Sequence, residues 1–162
     1  MIYIIADTHF GDDNIKLFEN RSVSDREMID RWNDSVNNDD VIYVLGDFAI
    51  PEKKYIEETL QKLNGYKILV KGNHDCLSYK DYLDVGFDEV YFHPIIVDNF
   101  WIMSHEPLYM NNSMPYANIF GHVHKNPIYK DYSKHHFCVC VERINYTPIP
   151  FDDIKGIVTS QI

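Results

Sequence analysis

Three features of the sequence predict an α/β fold: two mixed β-sheets packed as a sandwich and flanked by helices. Residues 2–71 alternate short apolar runs with segments of helical spacing, and this β-α-β-α-β order implies a partly parallel sheet. From residue 89 onward, strand-like runs follow one another without long helical stretches, which implies a second, mostly antiparallel sheet. The chain has 162 residues with no repeat, linker or low-complexity tract. That suits one domain over residues 1–162, large enough to bury roughly 68–70% of its unfolded surface.

The first strand, residues 2–6, ends at Asp7-Thr8-His9 and is followed by a loop with Gly11-Asp12-Asp13-Asn14. Ser24 and Glu27 have the spacing of a capping box, in which each side chain satisfies the other's backbone N–H. The helix they open carries Met28, Ile29, Trp32 and Val36 on one face, and residues 37–40 stop it. A second strand, 41–45, runs into Gly46-Asp47. Pro51 suits the first turn of the next helix, with Ile56, Leu60 and Leu63 inward and Asn64-Gly65 as the stop. Strand 67–71 leads to Gly72-Asn73-His74-Asp75, and Ser78 with Asp81 opens a short helix that Gly86 closes. Further strands are expected at 89–92, 95–98, 100–104 and 117–120, the last two running into His105 and Gly121-His122-Val123-His124. The tail alternates in the β manner around 137–142 and is expected to finish as sheet near 157–159.

Composition narrows the function. The formal net charge of −10 disfavours tight nonspecific binding to nucleic acid or to an anionic membrane. No apolar run approaches the ~20 residues of a membrane span. The opening run lacks a basic leader region and stops at Asp7, so no secretory signal is expected. Three cysteines, Cys76, Cys138 and Cys140, make no disulfide framework, which points to a reducing cytoplasm.

The chemistry gathers at strand ends. In open α/β sheets ligands bind beyond the carboxyl ends of the strands. Five predicted strands deliver there Asp7 and His9, Asp47, Asn73 and His74, His105, and His122 with His124. Alternation in an extended segment puts Asp7 and His9 on one side, and likewise His122 and His124. Any one of these could be a turn residue or a helix cap. Five strand ends carrying metal-type groups make that coincidence repeat five times, and a shared metal site accounts for all of them.

Asp7-x-His9, Gly46-Asp47, Gly72-Asn73-His74-Asp75, His105 and Gly121-His122-x-His124 resemble, in order, the motif set of the calcineurin-like metallophosphoesterases. The resemblance covers residues 7–124 and implies the same two-sheet sandwich flanked by helices. It implies a dinuclear centre: one metal on Asp7, His9 and His124, the other on Asn73, His105 and His122, with Asp47 bridging. It implies that His74 stays off the metals as the catalytic group facing the substrate. The implied activity is phosphoester hydrolysis by a metal-bridging hydroxide, with a small, possibly nucleotide-like phosphodiester as the expected substrate. Imidazole-rich ligands favour Mn²⁺, Fe, Co, Ni or Zn over Mg²⁺. A noncatalytic scaffold of the same fold would have lost site residues, and a nuclease for long nucleic acid would want a basic groove; the sequence shows neither.

Two positions depart from the family's pattern. Asp12 stands where small members often carry a second His, and no arginine follows Gly46-Asp47, where Phe48-Ala49-Ile50-Pro51 stands instead. Arg21 is then the candidate phosphate-contacting cation, and Asp75 a candidate to orient a neighbouring ligand. Cys138 and Cys140 read as core residues. Lys125, Lys130 and Lys134 read as a solvated loop rather than a substrate path.

Overall fold

The structure is a computed structural model that describes residues 1–111, 113–129 and 133–162. Its first sheet is built around β1 (Ile2–Ile5), β2 (Val41–Val44) and β3 (Tyr66–Val70), paired in parallel, with β4 (Glu89–Tyr91) parallel on the outer side of β3. A two-residue strand, β9 (Ile149–Pro150), pairs antiparallel with β1 at the other edge. The second sheet has the order β5 (Ile95–Val97), β6 (Trp101–Ser104), β7 (Ala117–Phe120), β8 (His136–Cys138). Both sheets are mixed, as the sequence predicts.

Period-2 alternation explains why β1 to β3 are apolar on both faces. Tyr3, Ile5, Ile42, Val44 and Leu69 point to one side, where they pack on Met28 and Trp32 of α2 (Asp25–Ser35), Ile56 and Leu60 of α3 (Lys53–Leu60) and Tyr82 of α4 (Tyr79–Asp84). Ile4, Ala6, Leu45 and Val70 point to the other side and meet Trp101, Met103, Ala117 and Ile119 of the second sheet. Each large aliphatic side chain among them contributes about 1.5–3 kcal/mol by leaving water. The capping box at Ser24 forms as read: Glu27 N–H donates to Ser24 Oγ, and Ser24 N–H donates to Glu27 Oε2 at 2.8 Å. Trp32 is fully buried, and its Nε1–H donates to the Asn64 carbonyl at 3.0 Å.

Three expectations are corrected. The second sheet is mostly parallel: β6, β7 and β8 run the same way and only β5 opposes β6. The connections over residues 105–116 and 121–135 are too long for hairpin turns and return the chain in the original direction. The tail does not finish as sheet; residues 151–159 form α5 (Phe151–Thr159), with Phe151, Ile154 and Val158 buried at helical spacing in the inter-sheet core. The β-branched run Ile157-Val158-Thr159 suggests a strand in isolation, and packing of one helical face overrides it. Finally, the loop after His9 contains a short helix, α1 (Asp13–Phe18), capped by Asp12, whose carboxylate accepts from Asn14 and Ile15 N–H.

The two sheets converge at one end. Ala6 forms a parallel bridge with Cys140: Ala6 N–H donates to the Val139 carbonyl at 3.0 Å, and Val141 N–H to the Ala6 carbonyl at 3.1 Å. This bridge joins the carboxyl end of β1 to the segment leaving β8. Among the described residues, no helix is long and apolar enough to cross a membrane.

Candidate metal centre

The carboxyl ends of β1, β2, β3, β6 and β7 bring all seven sequence-predicted ligands into two adjoining groups. Asp7, His9 and His124 form one, Asp47, His105 and His122 the other, with ligand atoms in each within 4.8 Å of one another. Asn73 joins the second group: its Oδ1 lies 2.8 Å from His105 Nε2 and 2.9 Å from His122 Nδ1, and those two nitrogens are 3.1 Å apart. Asp47 Oδ2 stands between the groups, 3.5 Å from His9 Nε2 and 3.4 Å from His105 Nε2. His124 Nε2 is 3.9 Å from Asp7 Oδ1. Atoms sharing an ion at about 2.0–2.2 Å sit roughly 3–3.5 Å apart; the pairs at 3.1–3.5 Å suit a shared cation, while Asn73 is at hydrogen-bond distance from its two histidines and the His124–Asp7 pair is wider.

Backbone geometry aims these side chains. Asp7, His9, Asp47, His122 and His124 all have positive φ, from 46° to 69°. Non-glycine residues rarely adopt this conformation, and its concentration at five site residues marks strain held by the surrounding structure. Close approach demands glycine in the turns after β2 and β3. A Cβ on Gly46 would fall 2.5 Å from His105 Nδ1, and one on Gly72 would fall 2.3 Å from Asp47 Oδ1. The turns after β2 and β3 thus touch each other through residues that have no side chain.

Each carboxylate uses one oxygen to hold a loop and leaves the other for the site. Asp7 Oδ2 accepts His122 N–H at 2.8 Å, and Asp47 Oδ1 accepts His74 N–H at 2.8 Å. Asp7 Oδ1 and His9 Nε2 are buried with no hydrogen-bond partner. An orphaned carboxylate oxygen and an orphaned imidazole nitrogen facing one space are costly without a cation and explained by one. The donor set therefore fits divalent metal.

Charge and burial set the proton affinities. Burial, partly offset by His105 and His124, pushes Asp7 up to about 6. Burial outweighs the pull of Asp47 and lowers His9 to about 4. Burial opposes protonation of His105, but the hydrogen bond to Asp47 and the charges of Asp7 and Asp47 overcome it and raise this imidazole to about 9. The His105 Nδ1–H donates to the Leu45 carbonyl at 2.8 Å, so the second proton sits on Nε2, on the side facing Asn73 and Asp47. A proton there occupies the place where a metal cation would otherwise bind.

A ring of partners orients the ligands. Asp75 accepts N–H groups from Asp47 (2.8 Å), Phe48 (3.1 Å) and Gly72 (2.8 Å), tying the turn after β2 to the turn after β3. Glu142, which sequence reasoning missed, lies with Oε1 3.1 Å from His124 Nδ1, leaving Nε2 for the site. The only signal for it in the sequence was an acid closing an otherwise apolar run, 137–142. Arg21 is not substrate-facing. Its side chain is 1% exposed, and it donates to Glu142 Oε1, to the Thr8 carbonyl (2.7 Å) and to the Asp7 carbonyl (2.7 Å). Cys140 is buried as expected, but it also accepts His124 N–H at Sγ, 3.2 Å away. His74 is exposed beside His9, with ring centroids 5.1 Å apart. Lys125 does more than sit in solvent: it pairs with Glu19 and lines a recess beside His122 and His124. Lys134 lies in a different recess, with Cys138 and Arg143, and Lys130 falls outside the described residues.

Comparison with known proteins decides the family. Residues 1–157 match the model of the calcineurin-like phosphoesterases. The chain belongs to this family. Calcineurin-like phosphoesterases act on phosphoesters and use divalent metals, in keeping with the His and Asp groups described above. The chain is 31% identical to an uncharacterized protein of Methanocaldococcus jannaschii, over 97% of this chain and 90% of that protein. A crystal structure of a protein of unknown function from Aquifex aeolicus matches it with a TM-score of 0.75 at 28% identity, covering 97% of this chain and 98% of that one. The nuclease MPE of Pseudomonas putida shares the fold, with a TM-score of 0.54 at 18% identity over 76% of this chain and 61% of the nuclease.

Proposed function

We infer that this phosphoesterase is a dinuclear metal-dependent hydrolase of small phosphodiesters. The observation that carries this reading is the position of Asp47 Oδ2, within 3.5 Å of an imidazole nitrogen from each ligand group. A carboxylate oxygen so placed could serve two cations at once. Asp7, His9 and His124 would hold one ion; Asn73, His105 and His122 would hold the other. Two such ions, of the manganese class, supply Lewis acidity and a water made nucleophilic at neutral pH.

The remaining work falls to the chain's own groups. His74, bound to the site through its backbone N–H on Asp47 Oδ1, presents its imidazole to the opening. From there it stabilises the phosphoryl oxygens or protonates the leaving alkoxide. Asp75 and Glu142 hold the ligand geometry and touch neither substrate nor reacting atoms. Arg21 and Arg143 both donate to backbone carbonyls. Lys125, beside His122 and His124, is one positive charge to set against the ester, and a diester's single negative charge needs less neutralisation than a terminal dianion's two.

The test strips metal with chelator, restores Mn²⁺, and compares kcat/KM for bis(p-nitrophenyl) phosphate and p-nitrophenyl phosphate in one buffer. The expected result is activity that depends on added metal and favours the diester. A clear advantage for the monoester overturns the substrate class, and no hydrolysis of either ester with metal bound overturns the hydrolase.

A further inference from the structure

Beside the candidate centre lies a recess of about 740 Å³, within the roughly 300–1,000 Å³ typical of small-molecule sites. One wall is the end of α1, where Phe18 is 81% exposed; the other is the segment from Val123 to Tyr129. His122 and His124 open into it, so the recess is continuous with the metal-ligand groups.

Both walls are held in place. Arg143 donates to the His124 carbonyl at 2.6 Å, to Asn126 at 2.8 Å and to Tyr129 at 3.3 Å, fixing the second wall along its length. Tyr129 also packs on Phe120 and Val123. Across the recess the Lys125 ammonium donates to the Glu19 carbonyl and lies 3.9 Å from the Glu19 carboxylate. An exposed phenylalanine on the lip of a braced recess is apolar surface that a ligand would cover.

We propose that this recess is the subsite for one ester arm of the substrate, and that the arm is a planar heteroaromatic group of the nucleoside kind. The proposal rests on the diester hydrolase reading above. Phe18 offers an exposed ring face for stacking, which is tolerant of base identity. The Asn126 side-chain oxygen takes Ile128 N–H at 3.1 Å, and its NH₂ has no acceptor among the described residues. That NH₂ and the Lys125 ammonium suit acceptor atoms on a ring edge. An alkyl arm would cover the same polar groups without pairing them, at a cost.

The test uses the full chain with Mn²⁺ restored and two esters that share a leaving group, thymidine 5′-(p-nitrophenyl phosphate) and methyl p-nitrophenyl phosphate. The wild type should favour the thymidine ester. Phe18→Ala should cut the ratio of the two kcat/KM values roughly tenfold, mainly through KM, as expected for one lost stacking face. Leu17→Ala, whose residue is 83% exposed on the same helix but does not line the recess, should leave the ratio where it was. A second readout needs no turnover: saturation-transfer NMR with thymidine 5′-monophosphate on the metal-free protein should show transfer to the base protons, lost in Phe18→Ala. An unchanged ratio in Phe18→Ala, or base signals indifferent to it, overturns the subsite. If the wild type hydrolyses neither ester, the diesterase reading fails, and the NMR result alone then decides for or against the recess.

Discussion

The two ligand groups of the centre are built differently. In the Asp7–His9–His124 group, Asp7 and His9 are 0% and 1% exposed, and the ligand atoms stand apart with two of them unpartnered. In the Asn73–His105–His122 group the atoms already touch at 2.8–3.1 Å, and Asn73 and His122 lie at the surface. Folding buries Asp7 Oδ1 and His9 Nε2 of the first group without hydrogen-bond partners, although Asp7 Oδ2 and His124 Nδ1 have theirs. The second group pairs its atoms with one another and opens to solvent. Deep desolvation should make the first group the tighter holder; exposure should make the second the one that exchanges and meets the phosphoester.

The largest effect separates holding from reacting. His74 belongs to neither group, so His74→Ala should retain both metals by elemental analysis while turnover falls on the order of 10²–10⁴-fold. Asp47→Asn should lose metal as well as activity, because the oxygen between the groups loses its charge. A fully active His74→Ala enzyme would remove the proposed role of that imidazole.

A medium effect ranks the groups. At about 100 times Kd, bound metal adds about 2.7 kcal/mol, which at this chain length raises Tm by roughly 5–10 °C. His9→Ala should abolish most of that rise and His122→Ala only part of it. The reverse order, read by differential scanning calorimetry with and without Mn²⁺, would invert the comparison.

A third comparison is a slope with pH. His105 is raised to about 9 and His124 is raised as well: burial opposes protonation in both, but Asp47 and Asp7 prevail at the first, Glu142 and Asp7 at the second. A histidine held above its unfolded value stabilises the fold fully below about 6.5 and loses that contribution as pH climbs through the folded value. The metal-free chain should therefore lose stability between about pH 6.5 and 9. With metal present the slope should flatten or turn upward, since the cation displaces those protons. Thermal melts across that range, with and without Mn²⁺, check the sign.

Much of this was legible in the sequence, for local reasons. The β-α-β-α-β half announces itself through helical spacing, a capping box and apolar strands, and each ligand follows its strand directly. What escaped depends on distant partners. Glu142 meets His124 and Arg21 only because Ala6 bridges Cys140, and nothing near residue 142 encodes that. Arg21 reads as a candidate phosphate-contacting cation in a loop until the fold buries it against two carbonyls and Glu142. Asp12 was visible as a departure from the family pattern, but not as the cap of a helix too short to show periodicity. The tail was misread because a β-branched run outweighed the spacing of Phe151, Ile154 and Val158.

The Asp7–His122 hydrogen bond joins positions 115 residues apart, and that distance orders events during synthesis. At about 5–20 residues per second, the first half emerges seconds before the second and carries strands that pair locally. The half made first presents Asp7, His9, Asp47 and Asn73, an oxygen-rich set that any hard cation satisfies. Three of the four ligand imidazoles, on His105, His122 and His124, arrive with β6 and β7. Any preference for a softer ion that rests on the proposed imidazoles should therefore grow late, as His105, His122 and His124 join His9.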